Sequence, residues 1–112
     1  MIGIRALAQF LPERRVDNLA KARVYGVDDE FIINKIGIRS LPRMDDTQRT
    51  SDLCTNAFTR LLEAERSLDP GKLDFLCVVT QNGDYSLPQT SAVVQHRIGA
   101  PVGCASFDVS LG

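Results

Sequence analysis

The sequence has 112 residues, 13 Lys and Arg against 14 Asp and Glu, a formal net charge of -1 and 44% apolar residues. That length fits one domain of ordinary size, and that balance suits a soluble globular fold while arguing against a broad nucleic-acid surface. No apolar run nears the roughly 20 residues needed to cross a bilayer, and the opening stretch lacks the basic region, apolar core and cleavage site of a secretory signal.

Ile2 to Phe10 alternates loosely and carries β-branched and aromatic residues, which predicts a strand ended by Pro12. Arg14 and Arg15 follow on a turn. Asn18 is a candidate cap for a short helix over Leu19 to Val24, stopped by Gly26. Asp28 or Asp29 is placed to cap a second helix through Lys35, with Phe31, Ile32 and Ile36 on one face and Gly37 at its end. Pro42 pushes Leu41 out of the helical region, so Ile38 to Pro42 should be extended. Met44 to Arg49 reads as a polar loop.

The best helix runs from a cap at Thr50 or Ser51 to about Ser67. Leu53, Ala57, Leu61 and Ala64 recur every three or four residues, with Phe58 and Leu62 widening the stripe, and Asp52 suits the positive end of the helix dipole. Asp69-Pro70-Gly71 is a turn. Asp74 to Thr80 is a continuous apolar run of strand length, the pattern of a central parallel strand buried on both faces. Gln81 to Leu87 is a polar loop. Pro88 suits a helix start, with Thr90 or Ser91 as alternative caps, and that helix should pack Ala92, Val93 and Ile98 inward until Gly99 ends it. Cys104 to Val109 is the last strand. Strand, helix and strand from Asp74 to Val109 have the length of a parallel, right-handed βαβ unit.

Cys54, Cys77 and Cys104 each sit in an apolar segment, no CxxC pair exists and His96 is the lone histidine, so no metal site is expected and the thiols should be buried and reduced, as in a cytoplasmic protein. Cys54 lies in the first turn of the long helix, where the dipole lowers a thiol pKa, but packing is its expected role. His96 should be a surface or interface residue.

Four ordered blocks carry a resemblance. They are Leu11-Pro12-Glu13 with Asn18; Asp29-Glu30-Phe31-Ile32 with Gly37-Ile38-Arg39; Asp84-Tyr85 with Pro88; and Gly99 with Phe107-Asp108-Val109. With the strand near residues 73–80, they make nearly the whole chain, residues 1–112, resemble the N-terminal part of β-ketoacyl-acyl carrier protein synthase III, of the thiolase-like condensing family. The resemblance implies an α/β thiolase-like layered fold, incomplete on its own, in an enzyme roughly three times as long with two related halves. It implies a cysteine thiolate immediately after Gly112 that takes an acyl group from a thioester. A histidine and an asparagine far downstream would then decarboxylate a malonyl extender. It also implies a homodimer, acyl carrier protein as partner, and coenzyme A or carrier-protein thioesters as substrates, with no permanently bound cofactor.

By the same resemblance, Phe31 occupies the position of a tryptophan that stacks on the adenine of coenzyme A, and Lys35 that of an arginine contacting the nucleotide. Phe31 offers less ring area, Lys35 lacks the guanidinium fork, and Ile36 replaces a hydrogen-bonding threonine. These departures imply loose coenzyme A binding or delivery of the acyl group mainly on acyl carrier protein. Leu87 occupies the position that closes the partner's acyl pocket, often phenylalanine, and a leucine there implies a longer or branched acyl chain. Arg14, Arg15, Arg23 and Arg43 could face an acidic carrier, though a solvated surface is the favoured account of them. Three other readings stay open: an acyltransferase to an oxygen or nitrogen nucleophile, a non-catalytic thiolase-like subunit, and a stand-alone small α/β binding domain.

Overall fold

The computed structural model describes residues 2–110 and divides the chain into two compact units, one of Leu11–Thr47 and one that joins the first ten residues to Gln48 onward. In the Leu11–Thr47 unit, strand β1 (Arg15–Asp17) pairs antiparallel with β2 (Ser40–Pro42), with Val16 opposite Leu41. Helix α1 spans Asn18–Tyr25. Its cap is Asp17 and not Asn18: the Asp17 carboxylate accepts from the Leu19 N–H at 2.8 Å. Asn18 is drawn away because it stitches the helix start to the approach of β2, its backbone N–H donating to Arg39 O at 2.9 Å and its amide to Ile38 O at 2.8 Å.

The second predicted helix is a π-helix, Phe31–Ile36. Asp28 accepts from the Phe31 N–H at 2.7 Å, as a capping aspartate should, but the turn is wider than an α-helix and closes with Gly37 N–H on Ile32 O at 2.9 Å. Gly26 and Gly37 both hold positive φ, 67° and 71°, the left-handed conformation that ends each helix. Ala22 and Ile32 are buried in this unit, as is Pro12.

In the other unit, the predicted strand over Ile2 to Phe10 does not form. These residues have strand propensity, but no ladder partner lies beside them among the described residues, and Ile2, Ile4 and Leu7 are exposed. Arg5 ties the segment down through an ion pair with Glu65 at 3.6 Å. Helix α2 spans Thr50–Ala64, three residues shorter than predicted, because Glu65 leaves the helix and accepts from the Ser67 N–H. Its cap position is Arg49 rather than Thr50 or Ser51. The Asp52 carboxylate reaches back to the Arg49 N–H at 2.7 Å, one half of a capping box. The apolar stripe is half-buried along Leu53, Ala57, Phe58, Leu61 and Leu62, while Ala64 is exposed.

A short 3-10 turn, Pro70–Lys72, precedes β3 (Phe75–Val79), which pairs in parallel with β4 (Ala105–Val109) in the register Phe75 to Ala105 through Val79 to Val109. Helix α3 (Thr90–Ile98) connects them, so the predicted parallel βαβ unit is present. Burial of β3 alternates instead of covering both faces: Val78 is buried, whereas Phe75, Cys77 and Val79 are exposed. Helices cover one face, and β4 is its one ladder neighbour among the described residues. Cys77 is therefore not the buried thiol expected, while Cys104 is buried and Cys54 is intermediate. Phe75 and Phe107 meet edge to face at 4.8 Å. Helix α3 begins at Thr90 and not at Pro88, and its buried apolar residue is Val94, with Ala92, Val93 and Ile98 half-buried. Gly99 ends it at φ 72°.

Candidate functional site

The carboxyl ends of parallel strands are where open α/β sheets place their ligands. Here that end is built from buried polar residues. Asp108, next to last in β4, grips the amino end of α3: its two carboxylate oxygens accept from the Thr90 and Ser91 N–H groups, each at 2.7 Å. A helix start leaves such donors without partners, and a carboxylate there also meets the positive end of the helix dipole. Burial pushes the Asp108 carboxyl pKa up. The hydrogen bonds from Ser91 and Thr90 outweigh that and hold it below the ordinary aspartate value.

Asp84 makes the matching contact with α2. Its Oδ1 accepts from the Ser51 N–H at 3.0 Å, while its own N–H donates to Thr90 Oγ1 at 3.1 Å. Ser51, Thr90 and Ser91 are fully buried. Asp84 Oδ2 and Ser91 Oγ are buried with no hydrogen-bond partner among the described residues. Gly83 lies close to this crossing: a Cβ there would meet Thr90 Oγ1 at 3.1 Å, tight enough that the hydroxyl would have to shift by a few tenths of an ångström. Arg97 binds the two helices together, donating to Ser51 Oγ at 2.8 Å and to Asp52 at 2.7 Å. Cys54 does not become a thiolate by the helix dipole. Burial first, then the charges of Asp84 and Asp108, push its pKa up, which fits a packing role.

The sequence-derived site residues fall in both units. Phe31 and Lys35 share the π-helix, and Lys35 Nζ lies 5.8 Å from the Phe31 ring centroid, a cation over a π-face. Phe31 is 40% exposed and borders an apolar hollow of about 410 Å³ that Tyr25, Val27, Ile36 and Leu41 also line. An aromatic plane with a neighbouring cation can hold a flat, anionic ligand, while Ile36 offers it no hydrogen bond. Leu87 belongs to the other unit and is 87% exposed, beside the cis peptide bond to Pro88. Gly112, immediately after which the resemblance implies the nucleophilic cysteine, lies outside the described residues. His96 is exposed, as are Arg14, Arg15, Arg23 and Arg43, with Arg14 paired to Asp46 at 3.4 Å.

Sequence reasoning passed over Asp84, Asp108, Ser51 and Thr90 as site-building residues. The signal was present for Asp108, a carboxylate inside a mainly apolar strand, which needs a donor partner to be kept there.

No protein-family model matches the chain. It is 36% identical over 110 residues to a β-ketoacyl-[acyl-carrier-protein] synthase III of Caldanaerobacter subterraneus subsp. tengcongensis, covering 98% of this chain and 33% of that one. It is 42% identical over 101 residues to an acetoacetyl-CoA synthase of a Streptomyces species, covering 90% of this chain and 30% of the other. A solved β-ketoacyl-[acyl carrier protein] synthase III from Thermus thermophilus superposes with a TM-score of 0.81 at 32% identity, over 96% of this chain and 32% of that one. The chain thus spans about a third of the length of the curated relatives it matches. Its parallel βαβ unit and these superpositions define it as part of an α/β thiolase-like fold, the fold of condensing enzymes. Within that class it is a synthase III-like segment, as its four sequence blocks implied.

Proposed function

We propose that the whole protein is a synthase III-like acyltransferase of fatty acid or polyketide-type biosynthesis, of which this chain forms the N-terminal segment. Similarity to synthase III and to an acetoacetyl-CoA synthase over nearly all of the chain carries the reading. In the reaction, a cysteine thiolate following Gly112 attacks an acyl thioester and expels the carrier thiol. A malonyl thioester loses carbon dioxide, its carbanion attacks the acyl-cysteine carbonyl, and the cysteine sulfur leaves with its electron pair. This chain's own contribution is a fixed approach to that sulfur. Asp108 ties β4 to the start of α3, so the backbone leading toward the nucleophile starts from a rigid base.

The substrates are thioesters of acyl carrier protein, with coenzyme A thioesters bound more loosely at Phe31 and Lys35. The functional form is a cytoplasmic homodimer, and the exposed Arg14, Arg15, Arg23 and Arg43 supply positive charge for an acidic carrier. The test is to incubate the full-length protein with an acyl donor and a malonyl thioester, each on coenzyme A or on carrier protein. Carbon dioxide release with a ketoacyl product, faster from carrier-protein donors, is the expected result. Acyl transfer without decarboxylation points to an oxygen or nitrogen acceptor. A serine or alanine after Gly112, with no turnover, points to a non-catalytic subunit.

Leu87 is read as a wall of the acyl pocket. Leu87→Phe is expected to shift preference toward shorter acyl donors by roughly tenfold per excluded methylene, measured as kcat/KM across a donor series. An unchanged series removes Leu87 from the pocket.

A further inference from the structure

The 81–89 loop is polar, a composition that usually leaves a loop mobile. Here consecutive residues at the start of α2 pin it. The Arg49 guanidinium sits 4.7 Å from the centroid of the Tyr85 ring, the Thr50 hydroxyl donates to Asn82 O at 2.6 Å, and the Ser51 N–H donates to Asp84 Oδ1 at 3.0 Å. From the opposite side Thr90 Oγ1 accepts from the Asp84 N–H, and Gly83 packs closely on the same hydroxyl. Leu87 follows three residues after Asp84 and is itself 87% exposed, so the backbone of the loop, and not packing of the leucine, sets where its side chain reaches. The central bonds join Asp84 to buried Ser51 and buried Thr90, where low polarity strengthens them.

We propose that the first turn of α2 is a clamp on the 81–89 loop and that Asp84 is its positioning residue, fixing the reach of Leu87 and through it the acyl chain length accepted. This rests on the reading of Leu87 as a pocket residue of a condensing enzyme. Apolar pockets discriminate at the level of single methylenes, so a small release of the loop changes which donor fits.

The experiment measures kcat/KM for a short and a long acyl donor in the full-length protein. Asp84→Ala is expected to change the short-to-long ratio about tenfold, whereas a merely structural residue lowers both rates together. Asp84→Asn keeps an oxygen acceptor for Ser51 and is expected to retain the original ratio. In a Leu87→Ala background, Asp84→Ala is expected to leave the ratio where Leu87→Ala alone puts it. Tyr85→Leu removes only the half-exposed ring under Arg49 and should move the ratio in the same direction as Asp84→Ala, which keeps the test open if the alanine variant does not fold. Unchanged ratios in an active enzyme overturn the clamp alone, as does a shift of equal size without Leu87. Absence of condensation by the unaltered protein overturns the reaction and the clamp's part in it together.

Discussion

Asp108→Ala is expected to lower the unfolding free energy by about 3 kcal/mol, because two charge-assisted hydrogen bonds are lost and two buried helix donors are left without an acceptor. The donors are the Thr90 and Ser91 N–H groups, each now 2.7 Å from a carboxylate oxygen, on residues with no exposed surface. Asp108→Asn keeps one acceptor and loses the charge, so about half of that loss is expected. Urea denaturation of the purified variants measures both. The same contacts set a pH dependence. The folded carboxyl is held below its ordinary value, so its stabilisation is fully present above the unfolded aspartate range near about 3.9 and is lost as pH falls through the lower folded value. The stability difference between the parent and Asp108→Asn should therefore shrink as the medium is acidified below that range. A difference that stays constant down to the acid limit would show that Asp108 makes no pH-linked contribution.

Thr90→Val is expected to cost about 2 kcal/mol, since valine matches threonine in shape but cannot accept a hydrogen bond. Thr90 Oγ1 serves the Asp84 N–H at 3.1 Å and stands close to Gly83, where a Cβ would meet it at 3.1 Å. In the valine variant a methyl group faces a buried N–H at that separation, and the loop must yield or leave the donor bare. Thr90→Ser restores the oxygen and removes one methyl, for which about 1 kcal/mol is expected. Thermal or urea unfolding that ranks valine above serine in stability would remove the hydroxyl from the account.

The sequence revealed most where structure follows from local chemistry. The three-to-four spacing of Leu53, Ala57, Leu61 and Ala64 located α2, and Gly26, Gly37 and Gly99 marked helix ends because each takes a left-handed conformation there. Apolar runs separated by a helix located the parallel pair of strands. Elements that depend on distant partners were less legible. Ile2 to Phe10 has the composition of a strand, but a strand exists only with a neighbour to bond. Thr50, Ser51, Thr90 and Ser91 looked like caps because their side chains can serve that role. Instead, Asp84 and Asp108 accept from their helices across 33 and 17 or 18 residues of sequence, a pairing that local reading cannot find. The π-helix at Phe31–Ile36 was also hidden, since a one-residue widening leaves the apolar spacing nearly helical. Of the resemblance-derived site residues, Phe31 and Lys35 share one short helix, with Lys35 Nζ 5.8 Å from the Phe31 ring centroid.

The pairing of β3 with β4 carries its own safeguard against error. Side chains on a strand alternate between faces, so pairing one residue out of step turns every one of them over. Val78 lies beside Asp108 in the native alignment, and the carboxylate then points at α3. A slipped partner would aim that negative charge away from the helix, strand it against the wrong surface, and leave both amide protons of the first turn unanswered. The aspartate thus makes the native alignment the one in which its charge is answered, and a slipped one costs the contacts of a single residue.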